Sequence, residues 1–118
     1  MYDLPIDANL QALAGLRLTQ ITFAENLILF VLEDRASITA LTSFGYRKAG
    51  EGQTSVQHLT SGHTPLVGLI GMQVCEVIIN LPREVVLRFD DGSLLDFNDD
   101  SNAYESYMIS LDGQEMIV

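Results

Sequence analysis

The chain has little of several residue types on which whole structural classes depend. It has one cysteine and no tryptophan among 118 residues, and six basic side chains against sixteen acidic ones. A lone cysteine excludes an internal disulfide framework and a cysteine-rich zinc site. The shortage of Lys and Arg argues against partners such as nucleic acid or an anionic membrane, because both require clustered cations.

Long apolar segments are also missing. The longest strongly apolar run, Leu27 to Leu32, has six residues, whereas a membrane-spanning helix needs about 20. The sequence Met1-Tyr2-Asp3-Leu4-Pro5 has neither the basic nor the apolar region of a secretory signal peptide. The hydrophobic content of 47% is too high for a disordered chain. We therefore expect a cytoplasmic protein with a single domain over residues 1–118.

The acidic charge is concentrated in the last third of the chain. Of the formal net charge of −10, residues 84–118 contribute −8, with nine acids against Arg88 alone. Two interpretations stay open: a solvated surface that aids solubility, and a docking surface for a basic protein partner. For the docking surface, we expect Asp96, Asp99 and Asp100 to lie together on one accessible face.

Two segments of the chain share one pattern at a nearly constant offset. Leu10–Gly15 and Leu66–Gly71 both have the pattern Leu-x-x-Leu-x-Gly, 56 residues apart. After one inserted residue near Pro82, apolar and acidic positions keep matching at an offset of 57, as Ile28 and Val85 do. We interpret the chain as an internal duplication, with repeats at approximately 7–60 and 64–118.

Each repeat is predicted to begin with a short helical turn, capped by Asp7 in the first and by Thr64 in the second. Strand periodicity follows, with hairpin signals at Asp91-Gly92 and Asp112-Gly113. We interpret residues 44–53 as a connecting loop. These patterns predict a mainly β protein, an internally duplicated barrel-like or sandwich domain of about eight strands.

The first strand of each repeat changes its apolar parity partway along. Leu16 and Leu18 lie at even positions, whereas Ile21 and Phe23 lie at odd positions. The matching residues of the second repeat change in the same way, and they are Met72, Val74, Val77 and Ile79. A bulge between the two pairs would return all four side chains to one core. Cys75 lies within the second of these strands, and we expect it to be a buried or half-buried structural thiol.

The second strands of the two repeats differ on their outer faces. The outer positions are Leu27, Leu29 and Val31 in the first repeat, but Glu84, Val86 and Arg88 in the second. Both faces of the first strand are therefore apolar and need a cover. Either another segment of the same chain covers Leu27, Leu29 and Val31, or these residues form a homodimer interface.

The polar residues match no catalytic or cofactor motif. His58 and His63 lack a third metal ligand at a suitable spacing, and the acidic segment 90–100 does not follow the EF-hand register. We assign no catalytic residue, metal or cofactor, and expect a non-enzymatic protein-binding module. The alternative is an enzyme or small-ligand binder with a pocket between the repeats, formed by Glu105, Tyr107 and a histidine.

The second repeat resembles a known group of proteins. The segments that carry the resemblance are Val85 to Leu95, Tyr104 to Ile109 and the closing Met116-Ile117-Val118. Together they are similar to a family of small, duplicated, all-β bacterial proteins of unknown function. In that family an acidic, a small and an aromatic residue end the second unit, as Glu105, Ser106 and Tyr107 do here. The resemblance implies no activity or cofactor. By analogy, small acidic bacterial proteins include immunity proteins, which bind toxins.

Overall fold

The computed structural model describes residues 10–41, 44–50, 52, 55–57, 64–81, 83–98 and 107–117. These residues are mainly β, with ten strands in two antiparallel sheets. The strands are β1 (Leu18–Phe23), β2 (Ile28–Leu32), β3 (Ala36–Ala40), β4 (Phe44–Arg47), β5 (Ser55–Gln57), β6 (Val74–Asn80), β7 (Glu84–Phe89), β8 (Leu94–Asn98), β9 (Tyr107–Leu111) and β10 (Gln114–Ile117).

Each sheet combines strands from both halves of the sequence. The first sheet has the order β1-β2-β3-β9-β10, and the second has the order β5-β4-β8-β7-β6. The three strands β1–β3 are therefore completed by a C-terminal hairpin, and β6–β8 are completed by β4 and β5. The two orders match when the first is read from β1 and the second from β6. In this comparison β9 and β10 of the first sheet take the places of β4 and β5 in the second.

The hydrophobic core lies between the inner faces of the two sheets. Alternate residues of β2 and β7 point inward and are buried, because successive strand residues face opposite sides. Phe30 and Tyr107 of the first sheet meet Phe97 of the second, with ring centroids 5.6 Å and 5.8 Å from it. Phe44 completes the cluster at 5.5 Å from Phe30. Edge-on and tilted aromatic contacts of this kind hold the two sheets together.

Two 3₁₀ helices, Leu10–Leu13 and Thr64–Leu69, precede β1 and β6, as the sequence predicted. Gly15 and Gly71 follow them with φ values of 92° and 95°, which glycine adopts without a steric penalty. The Gly15 amide donates to the Val74 carbonyl and the Gly71 amide donates to the Leu18 carbonyl, both at 2.7 Å. These matching bonds join the first strands of the two sheets. Neither described 3₁₀ helix is long enough to cross a membrane.

The predicted irregularity in the first strand of each repeat is confirmed. The register shifts between Leu18 and Gln20 in β1, and between Val74 and Glu76 in β6. Thr19 and Cys75 are therefore the extra residues of two β-bulges. The expectation of a buried thiol is wrong, because the bulge turns Cys75 outward and leaves it exposed.

Two further expectations are met in part. Of the two predicted architectures the sandwich is confirmed, because no ladder joins β5 to β10 among the described residues to close a barrel. These residues form ten strands where about eight were predicted, partly because β4 occupies residues taken for a loop and pairs with β8. The Asp91-Gly92 turn has a positive φ at Gly92 alone, 93°. It is therefore a three-residue hairpin turn with a glycine bulge, and the predicted hairpin is confirmed.

Candidate functional site

The outer face of the second sheet carries the first candidate site, around Asp96. Leu95 and Phe97 on either side of Asp96 are buried, so the pleat directs the Asp96 carboxyl outward, where it is half-buried. Asp96 lies opposite Val86, and Glu84 lies opposite Asn98. Asp96 and Glu84 are therefore diagonal neighbours on the same face, within reach of each other.

The carboxyl groups of Asp96 and Glu84 are close enough to influence each other. Burial, and then the hydrogen bond and charge of Glu84, together raise the pKa of Asp96 to about 7. Asp96 therefore keeps its proton to a higher pH than an exposed aspartate does. Oδ1 of Asp96 is buried and has no hydrogen-bond partner among the described residues.

The charges around the pair are already matched to one another. Glu76 forms an ion pair with Arg88, with 2.6 Å between Oε1 and Nη2, and both side chains are about half exposed. The Asn80 amide donates to Oε1 of Glu84 at 2.8 Å. Asn80 therefore orients Glu84 without neutralising it. As a result, the carboxyls of Asp96 and Glu84 form a local negative site with no described cation bonded to it.

The other predicted acidic residues do not join this pair among the described residues. The Asp91 carboxylate accepts hydrogen bonds from the Ser93 amide at 2.9 Å and from the Ser93 hydroxyl at 3.0 Å. Asp91 therefore stabilises the β7–β8 turn. Asp99, Asp100 and Glu105 lie outside the described residues, so their predicted clustering with Asp96 stays a prediction.

Tyr107 lies in the core and not on an accessible face. Its side chain is 1% exposed, and its hydroxyl donates to the Arg83 carbonyl at 2.7 Å. The ring packs on Phe97. The expectation that Tyr107 takes part in binding at the surface does not agree with this position. Tyr107, Ile109 and Leu111 alternate inward along β9. The polar residues around Tyr107 in the sequence had suggested an exposed position instead.

The outer face of the first sheet carries a second candidate site. Leu29 and Val31 point outward from β2 and are half-buried, as is Leu27 just before the strand. Both faces of β2 are thus apolar, as the sequence predicted. A shallow depression of about 320 Å³ lies at one end of this face, and its lining includes Leu29, Val31, Asp34, Arg35, Ser37 and Ser110.

Two adjacent turns form the rim of this depression, and the sequence did not predict that they meet. Glu33 and Asp34 have φ values of 49° and 58°, the pattern of a type I′ turn between β2 and β3. The β9–β10 turn lies beside it, where Arg35 donates to Asp112 through Nε at 3.3 Å and Nη2 at 3.1 Å. This hydrogen bond and the charge of Asp112 raise the pKa of Arg35 above its usual value.

Neither outer face resembles a metal centre or an enclosed active site. Among the described residues, no group of three His, Cys, Asp or Glu side chains could hold a metal ion. Ser93 is the one polar side chain among the buried residues described, and apolar side chains occupy the space between the sheets. His58 and His63 lie outside the described residues. Because Glu105 also lies outside them, the predicted pocket of Glu105, Tyr107 and a histidine stays a prediction.

Comparison with known proteins assigns no family. No protein-family model, curated protein or solved structure matches the chain. The resemblance to small duplicated bacterial proteins stays a prediction.

Proposed function

We propose that the chain is a non-enzymatic protein-binding module that docks a basic partner on the outer face of the second sheet. The observation that carries this proposal is the Asp96–Glu84 pair. Two carboxyl groups share a half-buried position there, and one buried oxygen of Asp96 has no described partner. An ammonium or guanidinium group of a partner supplies the positive charge that this pair lacks.

The surroundings of the pair support recognition of a protein over catalysis. The site lies on a sheet face and not in a cleft, and Val86 and Ile78 flank it in register with Asp96 on neighbouring strands. Ile78 is 39% exposed. An exposed apolar side chain beside the carboxyl pair adds surface that a protein partner can bury.

We also infer that the two halves arose by internal duplication. The 3₁₀ helices, the positive φ of Gly15 and Gly71 and the two bulges recur at an offset of 56. The backbone hydrogen bonds between the halves are equivalent in the same way. Gly71 and Val74 lie 56 residues after Gly15 and Leu18, so the Gly15–Val74 bond corresponds to the Gly71–Leu18 bond. On this interpretation, the charged outer face of the second half diverged from the apolar outer face of the first.

The test is capture of partners from the native host by the full chain. The double variant Glu84→Gln with Asp96→Asn removes the charge of the pair but keeps hydrogen-bonding side chains. The matched control is Glu25→Gln with Asp90→Asn, which makes the same two residue changes at exposed positions. We expect a basic protein to be captured by the wild type and the control, less of it at higher ionic strength, and little or none by the double variant.

Equal capture of that protein by all three chains would refute docking at the pair. Binding should also strengthen as the pH rises through about 7, because a cation favours the pair in its deprotonated form.

A further inference from the structure

The depression on the first sheet has a chemically mixed lining that the proposed function does not use. Leu29 and Val31 supply apolar surface from β2. Ser37 and Ser110 lie directly opposite each other on β3 and β9, so their hydroxyl groups border the same space. An apolar floor beside two hydroxyls suits a ligand with an aliphatic part and a polar end.

The charges at the rim determine whether the polar end of the ligand is positive or negative. The guanidinium of Arg35 already makes two hydrogen bonds to Asp112, so its charge is matched. Glu33 accepts a hydrogen bond from the Arg17 amide at 2.6 Å. Asp34 has no hydrogen bond or ion pair among the described residues, and it is exposed at the edge of the depression. The uncompensated charge at the rim is therefore negative, which disfavours a carboxylate and favours a cation.

The turn that carries Asp34 fixes the backbone position from which its side chain extends. The φ value of 58° at Asp34 is in the left-handed region, which aspartate and asparagine tolerate better than most residues. The Arg35 amide donates to the Leu32 carbonyl at 3.1 Å and closes this turn. Because the turn is tight, the Asp34 side chain begins from a defined point at the end of the apolar floor.

We propose that this depression binds a lysine or arginine side chain of a partner protein. The aliphatic stem of that side chain lies on Leu29 and Val31, and its cationic head reaches the Asp34 carboxylate and the two serine hydroxyls. Long basic side chains commonly bury their methylene groups in this way while the charge stays at the rim. The site is on the opposite outer face of the sandwich from Asp96 and Glu84, so it is independent of the docking surface proposed above.

The test is an amide-resolved NMR titration of the full chain with three small probes. N-acetylarginine amide has both the stem and the cation, N-acetylnorleucine amide has the stem alone, and methylguanidinium has the cation alone. We expect N-acetylarginine amide to shift the amide signals of Val31, Asp34 and Ser110 and to bind more tightly than either other probe. Asp34→Asn, which preserves the turn, should weaken it by about fivefold, since the charge-assisted hydrogen bond is lost.

Two further variants make the result specific. Ser110→Tyr fills the depression with a residue that strands favour, and it should abolish the shifts. Glu25→Gln removes one charge near the other end of β2 and should leave the affinity unchanged. Unaltered affinity in Asp34→Asn, equal binding of the three probes, or no saturable shift at these amides would overturn the proposal. The Glu84→Gln, Asp96→Asn chain should bind the probe as the wild type does, so that failure at one face is distinguishable from failure at the other.

Discussion

The half-buried carboxyl of Asp96 makes the stability of the protein depend on pH in a direction opposite to that of most acidic residues. Its pKa is raised from 3.8 to about 7 in the folded chain. Between these two values, the folded state keeps a proton that the unfolded state releases. The contribution of Asp96 to the free energy of unfolding therefore falls as the pH rises from about 4 to about 7, and it changes no further above that range.

The size of the effect follows from the shift and the exposure of the site. One pKa unit corresponds to about 1.4 kcal/mol, so the full shift would amount to about 4 kcal/mol. The site is open to solvent on one side, and screening reduces this to about 1–2 kcal/mol. Asp96→Asn carries no charge at any pH, and its amide can still donate to Glu84. We expect this variant to be more stable than the wild type by about 1–2 kcal/mol above pH 7, with the two chains converging near pH 4.

Urea unfolding of both chains at a series of pH values measures this difference directly. Asp90→Asn is the matched control, because Asp90 is exposed on the same β7–β8 hairpin. It should follow the pH dependence of the wild type closely. The reasoning is refuted if Asp96→Asn has the same pH dependence as the wild type, or if it is the less stable chain at pH 8.

Two further predictions concern buried and backbone positions. Tyr107→Phe removes the hydroxyl that donates to the Arg83 carbonyl and should lower the free energy of unfolding by about 1–2 kcal/mol in urea titrations, because a part-buried acceptor loses its partner. Gly71→Ala should cost about 1 kcal/mol, since φ there is 95°, whereas Gly68→Ala in the preceding 3₁₀ helix, where a Cβ meets no atom within 4 Å, should cost less. Equal thermal midpoints for these two glycine variants would contradict the conformational argument.

Features that depend on neighbouring residues were predictable from the sequence. The change of parity between Leu18 and Ile21 indicated the bulge, because it is visible within six residues. The glycines that follow the two 3₁₀ helices were recognisable from their position after a short apolar pattern. In β2, the apolar residues at both parities predicted correctly that Leu29 and Val31 lie outward beside the buried Phe30.

Features that depend on pairing between distant strands were not predictable. Phe44 and Tyr46 alternate inward as in any strand, but the glycine between them and the basic residues after them suggested a loop. Strand β4 is stabilised by β8, which lies about 50 residues later. The rim of the depression joins Arg35 to Asp112 across 77 residues. Likewise, Asp96 and Glu84 are brought together by the pairing of β7 with β8, and no local pattern reports this contact.

The exchange of hairpins between the two sheets has a consequence for how the chain folds. A fragment that ends after β5 would have β3 without its neighbour β9, and would leave β4 without β8. Each of these strands would then present unpaired amide and carbonyl groups, a surface prone to aggregation. Neither half is therefore a folding unit by itself. Productive folding must wait until the C-terminal strands have been synthesised, and contacts of such long sequence separation make the reaction slow but strongly cooperative.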